Sequence, residues 1–367
     1  MKEKTPNILQ SALNALILKK EPISIIHFVT NRCNARCSFC FIDFDNANIF
    51  KDELSLEEIK KLTKSVGKSL LNVNLTGGEP FARKDLIDIA ELYINNTTIK
   101  SIYITTNGSL PERIENFANF ISKKYPWIEL TFQISIDDMP DQHDKVRKIE
   151  NLFNNCVDSF ERLKKIEGNV NPVVSITVTN ENCDNIENIY YYLTQEIKIN
   201  SIKCTIVRDE GVFKTPIEKK KDILNAYTWL TEKIKEDSAS GRIQNYNTKS
   251  LQGRLHNKKD QISWEIIKET YLNSKFISPC HAGSLFGIIS AKGEIYPCEI
   301  LEEKKLGDLR ENEMNFMKIW NNKNSLNAKK FIKQTKCRCT YECGLTYNIL
   351  GNWRYQPKLM MSAFFNL

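Results

Sequence analysis

Cysteines at positions 33, 37 and 40 stand in the stretch TNRCNARCSFCF, a C-x3-C-x2-C spacing that packs three thiols into a few residues. Thiolates are ligands for soft metals, and two kinds of centre use them at such density. A structural zinc site takes four ligands, most often as paired C-x2-C units. A cubane iron–sulfur cluster has four metal corners, normally each held by a cysteine. The stretch holds no fourth Cys or His, so one iron of a cubane would keep an open corner where a small molecule can bind. Five more cysteines come late, Cys280, Cys298, Cys337, Cys339 and Cys343, and three are scattered singly, Cys156, Cys183 and Cys204. The scattered three read as small buried apolar groups.

The elements that must hold these thiols are visible in the texture of the chain. Short β-branched runs occur at 23–30, 71–76, 100–106, 128–136, 172–179 and 200–207. Amphipathic helical stretches lie between them. One opens with Ser55 and Glu58 at capping-box spacing, another follows Pro111, a residue favoured in a first helical turn, and others cover about 84–95, 145–166 and 184–197. Six strand–helix repeats imply an α/β fold with a parallel sheet and right-handed crossovers. Mixed apolar and polar strand interiors suit a curved, barrel-like sheet with ligands at the C-terminal strand ends. The cysteine triplet follows the first run, Gly77-Gly78-Glu79-Pro80 the second and Asn107-Gly108 the third, while Ser135-Ile136-Asp137-Asp138 closes the fourth. Four chemistry-bearing segments thus share one rim.

The resulting division is an N-terminal helical extension (1–22), a core (23–210), a lysine-rich helical connector with polar breaks around 238–250 (211–275), a small cysteine-rich domain (276–350) and a tail (351–367). The tail ends in LMMSAFFNL, which is expected to pack on the protein or on another copy. The chain of 367 residues is 41% hydrophobic and 26% charged, as a folded protein with two cores would be. Its net charge of +7 allows anionic partners. The lysines are spread out, however, and the run Lys219–Lys221 reads as a solvated face, so no nucleic-acid partner is expected. The start MKEKTPNILQSALNALILKK has too short an apolar part for a signal peptide, and no window would span a membrane. A cytoplasmic location is therefore expected, in which eleven cysteines favour metal or redox chemistry over disulfides.

The triplet C-x3-C-x2-C with Phe39 before its last cysteine, followed by Gly77-Gly78-Glu79-Pro80 after a second strand, resembles the two signatures of the radical SAM enzymes. The resemblance implies a partial (β/α)6 TIM-like barrel and a [4Fe–4S] cluster on Cys33, Cys37 and Cys40. It also implies S-adenosylmethionine chelating the fourth iron through its amino and carboxylate groups. One electron then cleaves the sulfonium, and the 5′-deoxyadenosyl radical takes a hydrogen atom from substrate; the protein positions the cofactor. An external one-electron reductant such as flavodoxin or ferredoxin is implied as a partner. Gly77 and Gly78 would let the backbone approach the methionyl amine. Glu79 would face that ammonium, and the backbone near Phe39 would face the adenine. Ser135, Asp137 and Asn107 would hydrogen-bond ribose or the methionyl carboxylate, although Asn107 also suits a turn with Gly108. The segment His143-Asp144-Lys145-Val146-Arg147 resembles a stretch of one branch of the family but carries Lys148 where a glycine is usual. A helix-entry ion pair of Asp144 with Arg147 is the simpler reading.

Cys280-x12-Gly293-x4-Cys298 and the group Cys337, Cys339, Cys343 resemble the SPASM/Twitch extension that holds auxiliary iron–sulfur clusters. A full SPASM domain brings seven cysteines and two clusters. Five imply the shorter Twitch-like form with one auxiliary [4Fe–4S] cluster on Cys280, Cys298, Cys343 and either Cys339, preferred, or Cys337. Relatives with this pattern commonly oxidise substrate by two electrons, so an oxidoreductase is expected. About twenty residues precede the first strand, with no leader-recognition domain, which tilts the expectation toward dehydrogenation of a sugar or aminocyclitol-like small molecule. Modification or crosslinking of a ribosomal peptide or protein side chain is the alternative, and a non-catalytic zinc- or RNA-binding protein a remote one. The sequence identifies no catalytic base; Arg208, after the sixth strand, reads as a salt-bridge partner.

Overall fold

The computed structural model describes residues 7–209, 213–244 and 251–365. The expectations for residues 1–6, for 245–250 within the polar break and for the last two residues of the tail lie outside the described residues. Strands β1 (Ser24–Thr30), β2 (Asn72–Gly77), β3 (Ser101–Thr106), β4 (Glu129–Ser135), β5 (Val170–Val178) and β6 (Ile202–Ile206) pair in parallel in chain order. They form a partial barrel, since β6 ends the sheet and does not close on β1. Helices α1 (Ile8–Leu13), α2 (Leu56–Lys64), α3 (Leu86–Asn96) and α4 (Pro111–Lys124) come first, followed by α5 (Pro140–Arg147), α6 (Leu152–Lys164), α7 (Ile186–Tyr191) and α8 (Lys220–Ala239). Helix α9 (Leu251–Tyr271) leads into the C-terminal part.

Each strand's period-two pattern sorts its side chains. On β2, β3 and β6, buried and partly exposed positions alternate. The buried set, among them Val73, Ile102, Ile104, Phe132 and Ile202, packs with helix residues such as Ile89 and Phe117 into the main core. Phe81, Phe117 and Phe132 meet there with ring centroids 5.7–6.4 Å apart. Strand β1, SIIHFVT, is buried at every position because it is covered on both faces.

The cysteine-rich region belongs to the same sheet. Strand β7 (Phe286–Ile289) lies parallel to β1, with Ser24 opposite Phe286 and Ile26 opposite Ile288. Strands β8 (Glu294–Tyr296) and β9 (Gly307–Asp308) add antiparallel beyond it. Helices α10 (Phe316–Trp320), α11 (Lys323–Gln334), α12 (Glu342–Leu350) and α13 (Gln356–Phe365) follow. A second apolar cluster joins Ile26 and Phe28 of β1 to Phe286, Ile288, Cys298, Tyr341 and Tyr347. Helix α13, the tail, packs against α9.

One expected element differs. The helix anticipated over 145–166 is two helices, α5 and α6, with Lys148 and Asn151 in the left-handed region at φ 55° and 58°. The break is built by Asp144, whose carboxylate accepts the Phe153 N–H at 2.7 Å and so caps the start of α6. Neither Gly nor Pro marks the site, so the sequence gives no warning.

The capping box on α2 is present, and Glu58 also reaches across to the C-terminal part. Its carboxylate takes the Ser55 N–H at 2.8 Å and the Arg310 guanidinium at 2.6 Å. The Arg310 hydrogen bond, with the Ser55 cap, holds Glu58 down at about 2. Protonating it costs the folded state, so this contribution is complete above the ordinary carboxylate value and is lost as pH falls toward 2. The pair is partly solvent-screened and is worth about 1 kcal/mol. Glu58→Gln is expected to lower stability at pH 7 by that amount. Urea titrations at pH 7 and pH 3 should show the two proteins converging at the lower pH.

Candidate active site and auxiliary metal centre

The loop that carries the first three cysteines is pinned at both ends. At its start, the Thr30 hydroxyl donates to Glu53 at 2.7 Å, and the Asn31 N–H donates to the same carboxylate at 3.0 Å. The end of β2 then closes on it: the Gly78 N–H donates to the Thr30 carbonyl at 2.9 Å and the Glu79 N–H to the Arg32 carbonyl at 2.8 Å. A Cβ on Gly77, whose φ is +138°, would lie 2.0 Å from the Thr30 oxygen, and one on Gly78 would lie 2.4 Å from the Arg32 oxygen. The two glycines are therefore required first for contact between these two backbones. At the far end, the Arg36 and Ser38 N–H groups donate to the carbonyls of Arg147 and Val146.

Cys33, Cys37 and Cys40 are all partly exposed on this loop. Burial pushes the Cys33 thiol up to about 11, with Glu79, Cys37 and Cys40 adding to the rise against the pull of the Ala35 N–H. Burial raises Cys37 and Cys40 as well, against the nearby Arg147 guanidinium. Thiols partly withdrawn from water and raised by one another's charge would be held as thiolates by a strongly cationic occupant. Among the described residues, no three His, Cys, Asp or Glu side chains converge tightly enough for one metal ion. A cluster fits the donor set better, because each thiolate then binds a different iron.

Glu79 is fully buried and its carboxylate joins the ends of β2 and β3. It accepts the Asn107 N–H at 2.7 Å, the Thr106 hydroxyl at 2.8 Å and the Phe81 N–H at 3.0 Å. Burial pushes its carboxyl up to about 7 despite these donors and Arg147, so a cation placed nearby would be welcome. The Asn107 amide donates to Asn34 at 2.9 Å and lies 3.8 Å from the Cys33 sulfur, while its carbonyl oxygen accepts the Ser109 N–H in the turn. Asn107 thus makes the turn and touches the cysteine loop at once. Phe39 lies against Arg147, with the guanidinium 5.7 Å from the ring centre, and lines a narrow cleft with Asp138, Val146 and Thr179. Ser135 ends β4, partly exposed.

Asp137 departs from its expected place. One carboxylate oxygen accepts Arg147 at 2.6 and 2.8 Å and the other accepts the Thr177 N–H at 2.8 Å. It is committed inside the protein, with little left for a ribose. The helix-entry pair of Asp144 with Arg147 is likewise corrected. Arg147 turns inward to Asp137, because the left-handed residue after it ends α5 and Asp144 is occupied by α6.

The five late cysteines gather around the second apolar cluster. The Cys280 and Cys337 thiols are hydrogen-bonded to each other, which raises Cys280 and brings Cys337 down to about 7. Burial raises Cys298, and Cys339 and Cys337 add to it. Cys337, ranked behind Cys339 on spacing, is thus the thiol in direct contact with Cys280. Burial pushes Cys343 up to about 11, with Glu299 adding to the rise and Arg208 opposing it. His281 donates its backbone N–H to Asn348 at 2.7 Å, and burial keeps its ring well below the usual histidine value, at about 4.

Between the two cysteine regions lies a group of which the sequence singled out only Arg208, as a salt-bridge partner, and that pairing is found. Arg208, just past β6, pairs with Glu299 and lies 4.2 Å from the centre of the Tyr341 ring and 5.8 Å from that of Phe41. The Tyr341 hydroxyl donates to Glu299 at 2.7 Å, and Glu342 accepts the Ile206 N–H at 3.2 Å. The signal in the sequence was adjacency: Glu299 follows Cys298, Glu342 precedes Cys343 and Phe41 follows Cys40. That β6 would end against all three was not visible.

Comparison with known proteins places this arrangement. Residues 28–192 match the radical SAM superfamily and residues 280–344 match an iron–sulfur cluster-binding domain, SPASM. This chain is a radical SAM enzyme with a C-terminal SPASM domain. Its cofactors are S-adenosylmethionine, the [4Fe–4S] cluster that binds it and auxiliary iron–sulfur. The sporulation killing factor maturation protein SkfB of Bacillus subtilis is 25% identical over 298 residues, 80% of this chain and 64% of SkfB. GTP 3′,8-cyclase of Cronobacter sakazakii is 41% identical over 83 residues, 22% of this chain and 25% of that enzyme. The chain thus spans less than two thirds of these relatives. The same fold is found in anSMEcpe with bound AdoMet, at TM-score 0.61 and 18% identity over 94% of this chain and 96% of that one. It recurs in Streptococcus suis SuiB bound to precursor peptide SuiA, at TM-score 0.56 and 16% identity over 91% and 72%. Among the described residues, no helix is long and apolar enough to cross a membrane.

The buried Arg147–Asp137 pair gives a direct test of this radical SAM enzyme's core. Arg147→Met should lose about 3–5 kcal/mol in urea unfolding, because an unpaired carboxylate is left inside. Arg147→Lys, which keeps the charge but not the two-pronged contact, should lose less.

Proposed function

We propose that Cys33, Cys37 and Cys40 hold the cluster that binds S-adenosylmethionine, and that the enzyme modifies a ribosomally made peptide. The observation that carries the peptide reading is the extent of the SkfB match. It runs over 298 residues, too long to be confined to the barrel match of 28–192, whereas the GTP 3′,8-cyclase match covers 83. SkfB is by name a maturation protein of a killing factor, and the fold accommodates a precursor peptide in SuiB. The expectation of a sugar-like substrate gives way to this alternative. The zinc reading falls with family membership.

When bound, the cofactors supply abstraction of a hydrogen atom from an unactivated carbon. The chain's own residues orient them. Glu79, tied to Asn107 and Thr106, offers a buried negative partner to the methionyl ammonium. Gly77 and Gly78 bring that carboxylate to the cysteine loop, Phe39 covers the adenine side, and Ser135 and Asn107 offer hydrogen bonds at the strand ends. Asp137 serves this site through Arg147, whose charge lies beside Cys37. The barrel, 23–210, holds this centre, with 1–22 as its extension. The connector is 211–275, the auxiliary domain 276–350 and the tail 351–367. Cys280 and Cys298, with two of Cys337, Cys339 and Cys343, hold the auxiliary cluster. Arg208, Glu299 and Tyr341 link the end of β6 to the segments that carry Cys298 and Cys343. A flavodoxin- or ferredoxin-like donor supplies the electron.

Anaerobically reconstituted protein should contain about eight irons and form 5′-deoxyadenosine on reduction. The triple variant Cys33→Ala, Cys37→Ala, Cys40→Ala should retain about half that iron and form none. Continued 5′-deoxyadenosine formation would refute the assignment. Co-expression with short open reading frames beside the gene should give a peptide of altered mass, and altered sugars with unaltered peptides would favour the small-molecule reading.

A further inference from the structure

The inner face of the barrel has a chemistry of its own. Lys203 of β6 donates to the Tyr103 hydroxyl of β3 at 3.0 Å, although two strands, β5 and β4, lie between them in the sheet. Strands are about 4.8 Å apart, so this contact crosses an enclosed lumen. Its floor is charged and closed: Lys203 meets Asp260 of α9 at 3.5 Å, and Lys259 reaches Thr346 of α12 at 3.3 Å. Above the floor the lumen is open. Thr105 is exposed to solvent although its strand is flanked on both sides by hydrogen-bonded neighbours, and its register partner Gln133 is partly exposed.

The inward positions follow from the register. On β2–β6 they include Asn74, Thr105, Gln133, Thr177 and Thr205, and Val173 is the one aliphatic among them, while β1 turns Ile26 and Phe28 to the same face, where they pack in the second apolar cluster. Thr76 and Ser135 sit at the strand ends, by the cofactor loops. Asn74 and Gln133 lie deeper, while Thr205 sits near the end of β6. Gln133 already donates to Ser175 at 2.8 Å, which orients its carbonyl oxygen. The charged groups are already engaged within the protein: Lys203 and Lys259 both face Asp260, Glu342 accepts the Ile206 N–H, and Arg208 is held by Glu299.

Resting on the peptide reading above, we propose that this lumen selects the reacting residue as an uncharged hydrogen-bonding one, Ser, Thr, Asn or Gln. An aliphatic side chain entering here would strip water from Asn74, Thr105 and Gln133 and return no hydrogen bond, which is unfavourable for each group left unpaired. A site built of hydrogen-bonding groups rejects analogues that lack the partner far more strongly than an apolar pocket rejects a size change. A charged side chain would find its counter-charges already engaged.

The test uses the full-length reconstituted enzyme and end-blocked synthetic peptides in which one residue X, deuterated in its side chain, is flanked on both sides by short runs of glycine. Deuterium transfer into 5′-deoxyadenosine is read for X = Thr against Val, Asn against Leu, and Asp and Lys. Thr should exceed Val, and Asn exceed Leu, by about tenfold or more. The same order should hold for peptide binding without reductant, where no turnover occurs. Thr105→Val and Gln133→Leu should each pull the Thr:Val ratio toward one, a ratio taken within one preparation and so insensitive to the fraction folded. Equal or better use of Val and Leu, a preference for Asp or Lys, or a ratio unmoved in both variants would overturn the inference while leaving the peptide reading intact. Absence of transfer from every peptide by an enzyme that still cleaves S-adenosylmethionine would overturn the peptide reading, and this inference with it.

Discussion

Two backbone hydrogen bonds, Gly78 N–H to the Thr30 carbonyl and Glu79 N–H to the Arg32 carbonyl, bring the end of β2 onto the start of the cysteine loop. They form only because neither glycine carries a Cβ, which would overlap the very oxygens that accept. Once made, they fix where Glu79 sits, and Glu79 in turn gathers the ends of β2 and β3 through Asn107 and Thr106. Asn107 then reaches Asn34 between the first two cysteines. The position of the three thiols is thus set by strand ends, and the loop itself needs little internal structure. The second tether, Arg147 with Asp137 under the far end of the loop, works the same way.

From β2 to β6 the sheet divides its two faces between stability and chemistry. Val73, Ile102, Phe132 and Ile202 sit on the helix side and supply the core. Their neighbours in sequence carry amides and hydroxyls into the lumen. This is why the strands read as neither cleanly alternating for a solvated sheet nor uniformly apolar for a doubly covered one. A lumen that keeps its hydrogen-bonding groups wet stays open for cofactor and substrate. The charged floor of Lys203, Lys259 and Asp260, capped by α9 and α12, limits how deep a substrate can go.

Local features were legible in the sequence. The six β-branched runs became β1–β6 with ends shifted by one or two residues, and the Ser55–Glu58 box and Pro111 start their helices as expected. The rim segments after each strand do converge. Contacts between distant segments were not legible. Arg147 had an acidic residue three positions away at Asp144, yet its partner is Asp137, because left-handed turns at Lys148 and Asn151 redirect the chain without a Gly or Pro to announce it. Arg208, Glu299 and Tyr341 meet only once β6 and the late cysteines share a fold. The choice of substrate was the weakest inference, since it drew on where the sequence starts and on no residue of the site.

The pairing of β7 with β1 bears on how the molecule assembles. Ser24–Thr30 is apolar on both faces, and its outer edge waits for Phe286–Ile289, more than 250 residues later in the chain. Contacts of such long range form late and slowly. During synthesis the barrel therefore presents an unpaired, hydrophobic parallel edge, of the sort that recruits other chains, until the SPASM region emerges. The auxiliary domain thus covers the open edge of the first strand, while the cysteine loop launched from that strand already has its frame in the ends of β2 and β3.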